Sequence, residues 1–257
     1  MLRMFWNGKS AMMANQNKLD AISNNLANSE TTGYKKVEVS FKDLVDETFE
    51  RKGYPTENKD AYSNTGVKST QWIRNNAQGN LKETGKKSDI ALDGKGYFKL
   101  KTPQGGEAYT RDGAFSVDSL GRLVDSSGNK LDLDFKPGYN ENNVKFLHNN
   151  YSINQEGDVY IKQGQEQKKV AEIKIYDVVG TDSMVSKGES LYVPKQGANM
   201  FVTKDVNILQ GCLETSNVDK AEEFTEMILT QRAFEFGSKG IKAADEMWGM
   251  VNNLRSR

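Results

Sequence analysis

Large apolar residues recur at intervals of seven at both ends of this chain. Phe5, Met12, Leu19 and Leu26 form one row near the N-terminus, and Met227, Phe234, Ile241 and Trp248 form another near the C-terminus. A spacing of seven returns to the same face of an α-helix, so each row predicts a helix with an apolar stripe. The residues between the rows are rich in turn formers and in short runs that alternate apolar with polar. Helical seams at the extremities and β structure in the middle suit a chain built to be joined to copies or neighbours, not one built around a pocket.

The first helix is predicted over residues 2–27, with Met4, Ala11 and Ile22 adding to the stripe. Gly8 and Asn15 interrupt it three residues after Phe5 and Met12, where a two-stranded seam favours apolar groups. Asn and Gly tolerate left-handed backbone, so residues 28–33 end the helix and turn the chain. The second helix is predicted over residues 217–254. Ser216 or Asn217 is in place to cap it, and Asp219, Glu222 and Glu223 put acid in its first turns, as the helix dipole prefers. Its seam runs through Phe224, Met227, Phe234, Ile241, Ala244, Met247, Trp248, Val251 and Leu254. Gly237, Gly240 and Gly249 each cost about 1 kcal/mol against Ala in a helix interior, and the first two fit either close helix approach or a bend.

Between the helices, Val37, Val39 and Phe41 alternate as a strand does, and Leu44, Val45, Thr48 and Phe49 have the spacing of a short helical turn. Residues 51–64 are polar, with Gly53, Pro55 and Asn64, and read as a loop that is disordered outside an assembly. From Asp89 to about Leu209, turn signals come thickly: Asp93-Gly94, Asp112-Gly113, Gly121, Ser127-Gly128, Glu156-Gly157 and Gln163-Gly164. Alternating runs separate them, among them Phe115/Val117, Val159/Ile161 and Ala171/Ile173/Ile175. Asp-Gly between such runs is a strong hairpin signal, and Asp89-Ile-Ala-Leu-Asp-Gly-Lys-Gly-Tyr-Phe-Lys-Leu100 reads as strand, turn, strand.

The expected fold is therefore mainly β with long terminal α-helices. The N- and C-terminal helices are expected to pair as a coiled-coil-like domain of residues 1–36 and 209–257. Residues 37–88 form an extended β connection with a polar loop, and residues 89–208 an antiparallel β domain with tight hairpins.

The balance of 35 basic and 35 acidic residues leaves no net charge to draw nucleic acid or an anionic membrane, and does little to oppose self-association. Mean hydropathy of −0.71 points to a chain partly solvated or dependent on partners. The single cysteine, Cys212, precludes an internal disulfide, and the single histidine, His148, argues against zinc. No run of about 18 apolar residues is present to span a membrane, and the first residues do not read as a cleaved signal peptide.

No residue stands out as catalytic, cofactor-binding or metal-ligating. Gly94-Lys-Gly96 lacks the third glycine of a nucleotide fingerprint. Asp132 and Asp134, alternating with Leu131, Leu133 and Phe135, read as the solvent face of one strand. The Asp118 to Asp134 stretch lacks calcium-loop spacing. Cys212, beside Gly211, reads as a small packing residue. Lys35-Lys36 and Lys86-Lys87 are too sparse for a nucleic-acid patch.

Four segments, taken together and in order, resemble the flagellar rod and hook family of axial proteins. They are Asn24-Asn-Leu-Ala-Asn28 followed by Thr32-Gly-Tyr-Lys35; Asp89-Ile-Ala-Leu-Asp-Gly-Lys-Gly-Tyr-Phe98; Tyr109-Thr-Arg-Asp-Gly-Ala-Phe115 with Asp118, Gly121, Leu123, Val124 and Gly128; and Gln210-Gly-Cys-Leu-Glu-Thr-Ser-Asn-Val-Asp219 with Thr230-Gln-Arg-Ala-Phe-Glu235 and Ala244-Asp-Glu-Met247. The likeness covers nearly the whole chain. Its length and the run from Leu209 to Asp219 fit members at the distal end of the rod best. It departs from them in a shorter stretch at 47–64 and in Asp177-Val-Val-Gly-Thr, where an Asn-Pro-like turn is usual.

The resemblance implies a structural, non-enzymatic subunit of the flagellar basal body outside the cytoplasmic membrane. It implies passage as an unfolded chain through the flagellar export apparatus without a cleaved signal peptide. It further implies assembly with copies of itself and with other rod and hook proteins into a helical tube, with the terminal helices inside and the β region outside, carrying motor torque. Small-molecule substrates and nucleic acid have no part in this. The candidate assembly contacts are Phe5, Met12, Leu19, Ile22, Leu26, Phe224, Met227, Phe234, Ile241, Met247, Trp248 and Val251. An isolated 26-residue helix with Gly and Asn in its seam is marginal, so the termini are expected to be loose in the free subunit, and the 51–64 loop is expected to reach a neighbour. The competing readings are a proximal rod subunit of the same family, whose members share much of the pattern; a glycan hydrolase, which needs two carboxylates facing a cleft; and a secreted β-rich adhesin, which leaves both helical ends unexplained.

Overall fold

The computed structural model describes residues 2–44, 47–48, 62–63, 66–141, 143–147, 150–163, 166–180 and 183–255. The chain divides into two compact units, one of residues 1–27, 37–73 and 219–257, the other of residues 28–36 and 74–218. His148, Val45, Phe49 and nearly all of the 51–64 loop lie outside the described residues.

The first unit holds both long helices, α1 (Leu2–Ala27) and α2 (Lys220–Arg255). Gly8 lies beside Ile241 and Met12 beside Gly237, while Lys18 meets Glu226 and Asn25 meets Glu223, so the helices run antiparallel in contact. Extending that register carries the last turns of α2 past the start of α1. Neither Ser216 nor Asn217 caps α2. The cap is Asp219, whose Oδ1 accepts the N–H groups of Ala221 (2.8 Å) and Glu222 (3.3 Å). Gly237 and Gly240 do not break the helix.

A β ribbon lies along α1. Strand Phe41–Asp43 pairs with Val67–Ser69, and Glu47–Thr48 with Tyr62–Ser63, all antiparallel. Thr48 is thus in a strand, and the helical turn read across Leu44–Phe49 is corrected at that position. Polar bonds fasten the ribbon to α1: Val67 N–H donates to Ser10 Oγ (3.3 Å) and Asn17 Nδ2 to Ser69 Oγ (2.7 Å). The strand expected through Val37, Val39 and Phe41 is two strands, Val37–Glu38 and Phe41–Asp43.

In the second unit the strands pair antiparallel throughout the described residues. Its largest sheet has nine strands, centred on Tyr97–Lys101. A four-stranded sheet runs Leu133–Phe135, Glu166–Ile173, Asp158–Gln163, Tyr151–Ile153. Their inward residues, joined by Ile90 from the strand that pairs with Asn207–Gln210, form one core in which Ile90, Phe98, Leu100, Val159 and Ala171 are fully buried.

Three of the turns share one construction. Asp118 to Gly121, Asp125 to Gly128 and Asn154 to Gly157 each close with the glycine N–H donating to the first residue's carbonyl, and each glycine holds φ between +80° and +91°. The leading Asp or Asn accepts nearby backbone N–H groups through its side chain, as at Asp118 with Leu120 and Arg122. Slight burial pushes the Asp118 carboxyl up. Arg122's guanidinium and backbone N–H, with that of Leu120, outweigh it and hold the group below the usual carboxylate range.

Two local readings are corrected. Asp93-Gly94 does not close a hairpin: Ile90–Asp93 pairs with Asn207–Gln210, and Tyr97–Lys101 with Glu107–Thr110. Gly94 and Gly96 have φ of +132° and +145°, outside the window of a two-residue hairpin turn, and carry the chain from one sheet to another. Nor do residues 131–135 form a single strand. Leu131 pairs with Leu100 in the large sheet and Leu133 with Ile173 in the four-stranded one, with Asp132 at the crossing. Asp132 and Asp134 are each taken up by lysines, Lys101 (2.6 Å) and Lys174 (2.5 Å) respectively.

Candidate functional site

Three of the motif segments meet on one buried carboxylate. Glu214, from strand Cys212–Glu214, accepts hydrogen bonds from Lys35 Nζ (2.6 Å), Arg111 Nε (2.6 Å) and the Gly79 N–H (2.9 Å). The exposures of Lys35, Arg111 and Glu214 are 4%, 4% and 2%. The segment around Asp93 joins through its backbone, because Arg111 also donates to the carbonyls of Gly94 and Gly96. Lys35 donates in addition to the Ala77 carbonyl (2.8 Å).

Local chemistry brings each segment in. Thr32 Oγ1 donates to Asp112 Oδ1 (2.7 Å) and the Gly33 N–H to the Glu214 carbonyl (2.9 Å). Gly33 holds φ of +65°, and a Cβ there would stand 2.6 Å from the Arg111 carbonyl carbon, so only glycine lets the backbones close.

One carboxylate serves two cations, and the electrostatics follow from that. Burial pushes the Glu214 carboxyl up, but the Arg111 charge, the Lys35 hydrogen bond and the Gly79 N–H outweigh it and hold the group below the usual carboxylate range. Burial pulls Lys35 down. Glu214 restores only part of that loss, and Arg111 adds repulsion. A carboxylate this well supplied with donors is a poor proton acceptor at neutral pH. The cluster is a cross-link between distant segments.

The first unit has a polar connector of its own. Asn25, from the Asn24-Asn-Leu-Ala-Asn28 segment, accepts the Val37 N–H through Oδ1 (2.9 Å) and donates through Nδ2 to the Val37 carbonyl (2.9 Å) and to Glu223 Oε2 (3.0 Å). Its amide serves Val37 as a neighbouring strand would, and it ties α1 to the start of α2.

The twelve candidate contact residues are spread across the helix pair. Ile22 is buried. Met12, Leu19, Leu26, Met227, Phe234, Ile241 and Met247 are half-buried, and Phe5, Phe224, Trp248 and Val251 are exposed. The most deeply buried positions belong to other rows: Ala14, Ala21 and Asn25 on α1, and Glu223, Thr230 and Ala244 on α2. Gly8 and Gly237 lie in the same seam, each touching a large side chain of the other helix. These rows also repeat at seven, 14 to 21 and 223 to 230 to 237 to 244, a signal missed by weighing only large apolar residues.

The helix pair therefore buries several small and polar residues in its seam while leaving a number of large apolar ones exposed. Trp6 and Met13 on α1, and Ile228, Leu229, Phe236 and Leu254 on α2, are all more than half exposed. Ordinary amphipathic helices do the reverse, and apolar surface on this scale marks an interaction face.

Cys212 is half-buried and pairs with Glu83 in a two-stranded ladder. Among the described residues no group of three or more His, Cys, Asp or Glu side chains is placed to hold a metal ion, and no helix is long and apolar enough to cross a membrane.

Comparison with known proteins adds to this geometry. Residues 6–35 match the family described as "Flagella basal body rod protein", residues 91–161 the "Flagellar hook protein FlgE/F/G D1 domain", and residues 209–254 the "Flagellar basal body rod FlgEFG protein C-terminal". The chain is 35% identical to the flagellar basal-body rod protein FlgG of Borreliella burgdorferi, with 99% of each chain covered. It is 33% identical to the protein of the same name in Bacillus subtilis, covering 99% of this chain and 100% of the relative. To the flagellar hook-basal body complex protein FlhP of that bacterium it is 28% identical, over 99% and 100% of the two chains.

Proposed function

The chain belongs to the family of flagellar basal-body rod and hook proteins, and from that premise we propose that it is a distal-rod subunit that polymerises into a helical tube and passes motor torque to the hook. The single observation that carries this reading is the inverted helix pair. Side chains such as Phe224, Ile228, Leu229 and Phe236 face outward on α2, and burying each against a neighbour is worth about 1.5–3 kcal/mol.

In this reading α1 and α2 form a short coiled-coil-like unit, tightened by Gly8 and Gly237. The exposed rows then meet helices of adjacent copies through unlike, head-to-tail surfaces, which propagate as a helix. The subunit acts in the basal body beside other rod and hook proteins. It reaches that place through the flagellar export apparatus as an unfolded chain without a cleaved signal. Its work is mechanical and involves no enzymatic step; the cross-linked Lys35–Glu214–Arg111 cluster favours stiffness in the β unit.

Electron microscopy of basal bodies from a strain lacking the gene tests the reading. A truncated rod without a hook is expected, its length marking the distal position. A much shorter stub would move the subunit to the proximal rod, and complete rods with hooks would overturn the proposal.

A further inference from the structure

A cleft of about 220 Å³ opens beside the buried charge cluster, lined by Lys35, Lys95, Tyr97, Arg111, Asp177 and neighbouring backbone. Its charges do not balance. Among the described residues three cations, Lys35, Lys95 and Arg111, stand against two carboxylates, Asp177 on the wall and Glu214 behind it. Lys35 has engaged two of its three ammonium donors, on Glu214 and Ala77, and is only 4% exposed. Lys95, at the mouth, is exposed and has no ion-pair partner among the described residues. Nearby, Arg74 stacks over Tyr192 with its carbon 4.7 Å from the ring centroid, and its buried Nε–H has no hydrogen-bond partner. The surplus is therefore positive, partly desolvated and open on one side, which is how a protein receives an anion.

We propose that this cleft is a docking site for a carboxylate side chain of a second copy of the chain. The chain as a whole is neutral, so a local surplus of cations has its counterpart elsewhere on the same surface. Asp93, Glu156, Asp205, Asp245 and Glu246 are exposed carboxylates with no ion-pair partner among the described residues. A head-to-tail polymer brings unlike surfaces of identical chains together, so cationic cleft and acidic surface then meet at every joint. The cleft fixes register more than it adds affinity, since the apolar helix faces carry the bulk of the burial.

The inference rests on the self-assembling reading, and the experiment separates the two. Self-association of the full-length wild-type chain, measured by sedimentation at low and high salt, tests assembly itself. Lys95→Glu and Lys95→Arg then test the cleft, because Lys95 is outside the buried cluster and its replacement leaves the fold intact. Lys95→Glu is expected to weaken association by about tenfold or more at low salt, with Lys95→Arg within about threefold of wild type. Reversal to Lys at one of the five carboxylates is expected to restore association of the Lys95→Glu chain. Unchanged association of Lys95→Glu beside an associating wild type would overturn the cleft. So would rescue by none of the five reversals, or sulfate binding to the monomer at the cleft, read from amide shifts at Lys95 and Tyr97, without effect on association. A wild-type chain that stays monomeric would instead overturn the assembly reading.

Discussion

Met12 and Gly237 lie so close across the helix pair that a Cβ at 237 would stand 2.9 Å from Met12 Cγ. Gly240, one turn along α2, has open space where its Cβ would go. Two glycines in one helix thus face opposite consequences of substitution. Gly240→Ala is expected to raise stability by about 1 kcal/mol through helix propensity, and Gly237→Leu to lower it by about 1–3 kcal/mol through overpacking. Thermal unfolding followed by far-ultraviolet circular dichroism checks both, and the reverse order would show that the helices do not meet at this point.

Replacing Glu214 leaves Lys35 and Arg111 buried without a counter-charge. Glu214→Gln should cost about 3–5 kcal/mol in denaturant unfolding, and a loss under about 1 kcal/mol would mean the cluster is open to water. The same carboxyl gives a pH signature. Its folded pKa lies below the unfolded value of about 4.3. Its contribution is thus complete above the unfolded value and lost as pH falls through the folded one. Stability should therefore fall less steeply on acidification below about pH 4 in the Gln variant than in the wild type.

Glu189 and Ser190 both adopt left-handed backbone, with φ of +52° and +58°, in the turn joining Met184–Gly188 to Leu191–Pro194. Neither is a glycine or an asparagine, the residues such a turn prefers. The strain is held by Thr110 Oγ1, which donates to the Ser190 carbonyl (2.9 Å), and by Ser127 Oγ, which donates to the Glu189 carboxylate (2.7 Å). Ser190→Gly keeps the carbonyl and removes strain, so a gain of about 1 kcal/mol is expected in the unfolding midpoint. A loss would point to a role for the Ser190 hydroxyl.

In the free subunit α1 has one helical partner and a polar ribbon against it, and much of its apolar surface is outward. Amides of residues 5–26 should exchange at least about tenfold faster than those of the Tyr97–Lys101 strand. Equal protection would show that the helix pair is as firm alone as in an assembly.

The sequence revealed the terminal helices to within a few residues, because a repeat of seven survives any tertiary context. It did not reveal which rows face inward, because Ala14, Thr230 and Gly237 carry little hydrophobic signal and matter through closeness. The cap was misread for a related reason. Ser216, Asn217 and Asp219 are all competent caps, and Asn217 is instead drawn to the Lys36 N–H and to the carbonyls of Asn75 and Ala77. The Asp93-Gly94 hairpin failed because its partner strand is Asn207–Gln210, far along the chain. The four motif segments could each be seen, but their convergence on Glu214 could not. Lys35 and Arg111 lie 179 and 103 residues from it, and no local pattern spans such distances.

Those separations also set an order of events. A chain that emerges N-terminus first presents Lys35 early, Arg111 midway and Glu214 only when five-sixths of it is out. Until then two cations destined for the interior have no counter-charge, and closing the β unit around them is opposed. The cluster acts as a latch whose last part lies late in the chain, so the β unit gains its internal charge balance only once nearly all of the sequence is available to fold.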